Sequence, residues 1–104
     1  MAYASLIERL TANSRTNKRT GCREWTGNTN NDGYARYSVR CGASVRKEYA
    51  HRAAWMAATG RDIPEGMQLD HICCNRRCIA PGHLQLVTNQ QNAALRSERM
   101  RRAA

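Results

Sequence analysis

The stretch Leu69-Asp70-His71-Ile72-Cys73-Cys74-Asn75-Arg76-Arg77-Cys78-Ile79-Ala80-Pro81-Gly82-His83-Leu84 decides how this chain is read. Three of the five cysteines fall within six residues, and a histidine follows five residues after the last of them. Zinc takes four soft or borderline donors in a tetrahedron. Cys73, Cys78 and His83, spaced five and five with Pro81-Gly82 to turn the chain, read as three such donors. The fourth must come from elsewhere, from Cys22 or Cys41. The plainer alternative, small buried cysteines of no special role, sits badly with the clustering. The cysteine number is odd, and Met1 to Leu10 lacks the basic and apolar regions of an export signal. A disulfide framework is therefore not expected, and metal-bound thiolates in a reducing cytosol are.

The rest of the chain makes a metal prop plausible on energetic grounds. Its 104 residues suit one domain, 1–104. Six Leu, four Ile, three Val and no Phe leave little to bury, a fraction that with a net charge of +9 falls in the range of disordered chains. Yet two Trp, four Tyr and three His are placed in an orderly pattern. Structural zinc supplies on the order of 10 kcal/mol of apparent folding energy, enough to decide whether so thin a core folds. No run approaches ~18 apolar residues, so no membrane span is expected. The positive charge favours a polyanionic partner, and nucleic acid is the expected one. Membrane binding would need a helix with large apolar residues opposite the charge, and no segment offers one.

Outward from the decisive stretch, residues 67–72 alternate, with Met67, Leu69 and His71 on one face and Gln68, Asp70 and Ile72 on the other. Residues 84–87 form a second short strand. Thr88 with Gln91 makes a capping box that opens a last helix, which carries Asn92, Arg96 and Arg99 on one face. Upstream, residues 1–12 read as a helix with Leu6, Ile7 and Leu10 on one side, and 13–20 as a basic loop. Residues 34–40 alternate as a strand with Tyr34, Arg36, Ser38 and Arg40 on one face, and 45–49 pair with it across a turn at 41–43. Residues 48–59 read as an alanine-rich helix closed by Gly60, and Pro64-Glu65-Gly66 as a turn. Trp25 and Trp55 are expected in the core.

A hairpin running into a helix lets Asp70 and His71 face Asn92. An imidazole beside a carboxylate and a carboxamide is what metal-assisted phosphodiester hydrolysis needs: a neutral base for water and oxygen donors for a hard cation. This set of residues resembles the HNH, or ββα-metal, nucleases. It is most similar to the zinc-containing branch of small phage HNH proteins related to His-Cys box homing endonucleases. The resemblance covers about residues 22–92. It includes Cys22-Arg-Glu-Trp25-Thr-Gly27, Gly33-Tyr34-Ala35-Arg36, and the segment from Ala50-His51-Arg52 to Gly66.

The resemblance implies an α+β chain of the small ββα-metal (His-Me finger) fold, with a core at 67–99, a helix and basic loop at 1–20, and one structural zinc. It implies His71 as general base and Asn92 as ligand of a catalytic magnesium or similar cation. Asp70 is either a second ligand of that cation or an orienting carboxylate, since His-Cys box enzymes tend to lack this acid. Cys22, Cys73, Cys78 and His83 would hold the zinc. Cys41, which has no role in the family, is the competing fourth ligand, and Cys74, which stands where the family often has a polar or acidic residue, is either a spare thiol or a replacement for Cys73. Arg36 would contact the scissile phosphate, with Arg40, Arg52, Arg96 and Arg99 as further DNA contacts. His51 is set aside as a packing residue or a phosphate contact. The implied function is DNA endonuclease, leaving 5′-phosphate and 3′-hydroxyl ends, in the cytoplasm of a bacterial host if phage-encoded. A double-strand break would call for a homodimer. The competing reading is a zinc-stabilised module that binds nucleic acid without cutting it, and an RNA-directed nuclease would share the same chemistry.

Overall fold

The computed structural model describes residues 2–103, with side chains for 6–39 and 42–102. Nine main elements follow in order: α1 (Ala2–Ala12), β1 (Ser14–Thr16), β2 (Arg23–Trp25), β3 (Arg36–Cys41), β4 (Ser44–Tyr49), α2 (Ala50–Thr59), β5 (Met67–His71), β6 (Leu84–Thr88) and α3 (Asn89–Ala103). A single 3-10 turn, Pro81–His83, precedes β6. The strands form three separate antiparallel pairs, β1–β2, β3–β4 and β5–β6. Mixed helices and small sheets make this an α+β fold, and β5–β6–α3 is its ββα unit. Among the described residues no helix is long and apolar enough to cross a membrane.

The ββα unit forms for local reasons. The Pro64–Gly66 turn closes with the Met67 amide donating to the Pro64 carbonyl at 3.1 Å, and Gly66 takes a φ of 83° that a side chain would strain. β5 and β6 then pair from Met67↔Thr88 to His71↔Leu84. At the start of α3 the capping box is present in both directions. The Thr88 amide donates to Gln91 Oε1 at 2.9 Å, and the Gln91 amide to Thr88 Oγ1 at 3.1 Å.

Both faces of β5 are covered, which simple alternation does not convey: Leu69, Asp70 and His71 are all buried. On one face Leu69 joins Leu84 and Trp55 of α2 in a small apolar cluster, and the His51 ring of α2 meets His71. On the other face α3 is held by polar groups, through Arg99 to Asp70 and through Gln68 to Asn89. A second cluster joins Leu10, Trp25, Ala35, three alanines of α2 and Ile79, with Leu6 and Tyr37 packed against it. Both tryptophans are in the core, whereas Ile7 is 47% exposed.

Three boundaries differ from the sequence reading. The expected loop 13–20 contains β1, a three-residue strand whose Ser14 and Thr16 side chains accept from Arg23 of β2 at 2.7 and 3.1 Å. So short a run of Ser-Arg-Thr shows no periodicity. β3 starts at Arg36 rather than Tyr34, because Tyr34 is still in the preceding turn. α2 starts at Ala50 rather than Glu48, because Glu48 and Tyr49 are paired in β4 with Tyr37 and Arg36.

Candidate functional site

Two polar clusters lie on the ββα unit. The first gathers one donor atom each from Cys22, Cys73, Cys78 and His83, all within 4.8 Å of one another. A tetrahedral zinc with bonds of about 2.0–2.3 Å separates neighbouring ligand atoms by roughly 3.3–3.8 Å. The spacing of His83 Nδ1 from Cys22 Sγ, 3.6 Å, and from Cys78 Sγ, 3.4 Å, fits that geometry. The donor set of three thiols and one imidazole suits zinc, and four protein ligands would leave no open position. Gly21, with φ 78°, turns the chain above the His83 ring.

This cluster ties distant parts of the chain together. Cys22 sits just before β2, Cys73 and Cys78 lie in the loop after β5, and His83 ends the 3-10 turn. The backbone reinforces the join, with the Trp25 amide donating to the Arg77 carbonyl at 2.9 Å and the Ile79 amide to the Arg23 carbonyl at 2.8 Å. The thiols are unequal without a cation. Burial opposes ionisation of Cys22, but hydrogen bonds from Thr20, His83 and the other two cysteines outweigh it and bring Cys22 down to about 7. Burial pushes Cys78 up to about 12 and raises Cys73 as well. Cys74, exposed and at a φ of 59°, is outside the set. The side chains of Cys41 and Arg40 lie outside the described residues.

The second cluster lines an open cavity of about 350 Å³, bounded by Asp70, His71, Asn92, Arg96, Arg99, Arg76 and Tyr34 among others. The helical spacing of Asn92, Arg96 and Arg99 does bring all three to this one cavity. His71 is 6% exposed, and its Nε2 lies 3.0 Å from the Cys78 carbonyl oxygen. A carbonyl only accepts, so Nε2 carries the proton and Nδ1 keeps its lone pair. Burial lowers the His71 pKa below the usual histidine value of 6.5, against the opposing pull of the Cys78 carbonyl and Asp70. The result is a neutral imidazole of fixed tautomer at neutral pH. Cys78 thus serves both clusters, with its thiol in one and its carbonyl in the other.

Asp70 is 5% exposed and fully engaged. Arg99 grips it with two bonds, Nη1 to Oδ1 at 2.6 Å and Nη2 to Oδ2 at 2.9 Å, while Gln85 Nε2 donates to Oδ2 at 2.8 Å. The Arg99 bonds hold the Asp70 carboxyl below its ordinary range. A carboxylate and the Asn92 carboxamide at one cavity are oxygen donors suited to a hard divalent cation. Asp70 would offer its oxygens to such an ion in competition with Arg99.

The remaining sequence candidates are placed differently. Arg36 does not line this cavity. Its guanidinium lies 5.4 Å from the Tyr49 ring centre, and its Nε is buried with no hydrogen-bond partner. Arg52 lines a smaller neighbouring cavity of about 200 Å³ with Tyr34, Tyr49 and His51. Three residues that sequence reasoning did not assign to the site are there. His51 lies 4.7 Å from His71 between ring centres, and Tyr34 lies 5.8 Å from each. Arg76 stacks over Tyr34 at 5.1 Å and donates to the Asp32 carbonyl. Burial, with His71 and Arg52 nearby, lowers His51 to about 3, so this imidazole is neutral, and its Nδ1 is buried without a partner. A histidine on an alanine-rich helix gives no sign of this. The available sign was the place of Ala50-His51-Arg52 in the segment that resembles the family.

The family model of the HNH endonucleases matches residues 48–94, which run from the end of β4 through the first turns of α3. The Uncharacterized gene 5.3 protein of Enterobacteria phage T3 is 38% identical over 65 residues, 61% of this chain and 63% of that protein. Protein 2.8 of Escherichia phage T7 is 34% identical over 88 residues, 85% of this chain and 54% of its own length. Protein 7.7 of the same phage is 39% identical over 72 residues, 69% of this chain and 52% of its own. The chain therefore spans about half to three fifths of the curated relatives it matches. No solved structure matches it at a significant level. With the matched segment containing β5, three of the four clustered metal donors, His71 and Asn92, residues 48–94 of this chain are an HNH endonuclease family segment.

Proposed function

We propose that this protein is a metal-dependent DNA endonuclease, with His71 as general base. The observation that supports this best is the bond from His71 Nε2 to the Cys78 carbonyl, which leaves Nδ1 as the unprotonated nitrogen of a buried imidazole beside an arginine-lined cavity. His71 takes a proton from water at Nδ1, and that water attacks the scissile phosphorus in line with the departing 3′-oxygen. A magnesium or similar cation, for which Asn92 and Asp70 supply oxygen donors, would stabilise charge on that leaving oxygen. Arg96 and Arg76 line the cavity where a phosphate would sit, and Arg52 lines the smaller cavity beside it. This chemistry leaves 5′-phosphate and 3′-hydroxyl ends. The Cys22, Cys73, Cys78 and His83 set would hold a structural zinc that shapes the site without touching substrate.

The test is to incubate supercoiled plasmid with the protein and magnesium, and then with DNA ligase. The expected result is relaxed or linear DNA that ligase reseals without prior end repair. Steep, salt-dependent binding with no cleavage at any magnesium or manganese concentration would instead favour a nucleic-acid-binding module.

A further inference from the structure

We infer that Arg99 is a built-in competitor for the catalytic cation, and that DNA relieves the competition, so that cation and DNA bind cooperatively through this side chain. The inference rests on the proposed function in taking Asp70 as a cation ligand. The buried Asp70 carboxylate receives three hydrogen bonds, two of them from one guanidinium. That grip occupies the same oxygens a divalent ion would bind, at about 2.0–2.1 Å for magnesium. The ion would also face the guanidinium's charge at close range. Cation and Arg99 therefore compete for Asp70.

Arg99 has somewhere else to go. Its side chain is 35% exposed and lines the cavity with Asn92 and Arg96. A phosphate presents the same paired oxygens as a carboxylate and accepts the same two-pronged contact. In the free protein Arg99 pairs with Asp70. In the complex it pairs with phosphate and frees the carboxylate for the cation. Linkage then requires that DNA strengthen cation binding by the same factor as the cation strengthens DNA binding.

The experiment measures manganese binding to zinc-loaded protein by calorimetry without DNA, for wild type, Arg99→Gln and Arg99→Lys. Arg99→Gln should bind manganese roughly tenfold more tightly, within the usual range of such couplings. Arg99→Lys, which keeps the charge but loses the two-pronged grip, should fall between. With calcium, the affinity of wild type for duplex DNA should rise, and that of Arg99→Gln should rise less. Zinc content and far-UV circular dichroism report folding, and if Arg99→Gln fails them, Arg99→Lys decides. Manganese affinity equal to or below that of wild type in the folded variants would overturn the inference. A wild-type protein that cuts plasmid while its variants bind manganese unchanged would sink this inference alone, and a wild type that does not cut while Arg99→Gln binds manganese more tightly would sink the nuclease reading and leave the competition at Asp70 standing.

Discussion

The two polar clusters at the ββα unit differ in chemistry and in design: three thiols and an imidazole make one, and an imidazole with carboxylate, carboxamide and guanidinium groups makes the other. The Cys22, Cys73, Cys78 and His83 set closes on itself, with four donors from three chain segments and no position left over. The cavity at His71 is open, with one neutral imidazole, two oxygen donors and several arginines around a space of about 350 Å³. A closed donor set shapes a fold, whereas an open one leaves room for substrate. Cys78 links the two, because its thiol belongs to the closed set and its carbonyl fixes the His71 tautomer. Loss of the metal should therefore damage both the fold and the base.

The largest expected effect breaks the closed cluster. A strong chelator should release about one zinc per chain and unfold the protein, since on the order of 10 kcal/mol would be withdrawn. Loss of helical circular dichroism checks this. Cys22→Ser should weaken zinc retention far more than Cys41→Ser, and the reverse order would mean that the closed set has been drawn with the wrong fourth donor.

A second effect concerns acid. Unfolded His51 takes up a proton near 6.5, but in the folded chain only near 3. The unfolded state therefore binds more protons between those values, and stability should fall as pH drops from about 6.5 towards 3. Denaturant melts across this range should show a shallower decline for His51→Phe. An unchanged slope would mean that the ring stack leaves His51 wetter than its burial suggests. A third effect sharpens the open cluster. Because His71 is held below 6.5, the acid limb of the cleavage rate should lie below that pH, with activity lost as pH falls through the His71 pKa. A limb above 7 would point to a different base. The smallest effect is local: Thr88→Ala should cost about 1 kcal/mol by removing one arm of the α3 cap, measurable by urea melts.

How much of this was legible in the sequence depends on range. Thr88 and Gln91 are three residues apart, so the start of α3 could be read directly, as could the turn at Gly66 and the closure of α2 at Gly60. The shared face of Asn92, Arg96 and Arg99 followed from helical spacing. What that spacing could not give was the partner of Arg99, because Asp70 is 29 residues away and reached only through the fold. β1 escaped notice for a related reason: three polar residues have no pattern, and their pairing depends on Arg23 across the hairpin. His51 lies in a segment that shares the family's pattern, but its contact with His71, 20 residues on, arises only when α2 packs on β5.

The most direct test of the account compares wild type with His71→Ala on supercoiled plasmid in magnesium, both with matched zinc content and circular dichroism. The account predicts that the wild type cuts and that the variant loses roughly 10²–10⁴-fold in rate while still binding DNA. Equal cleavage by the two proteins would contradict it.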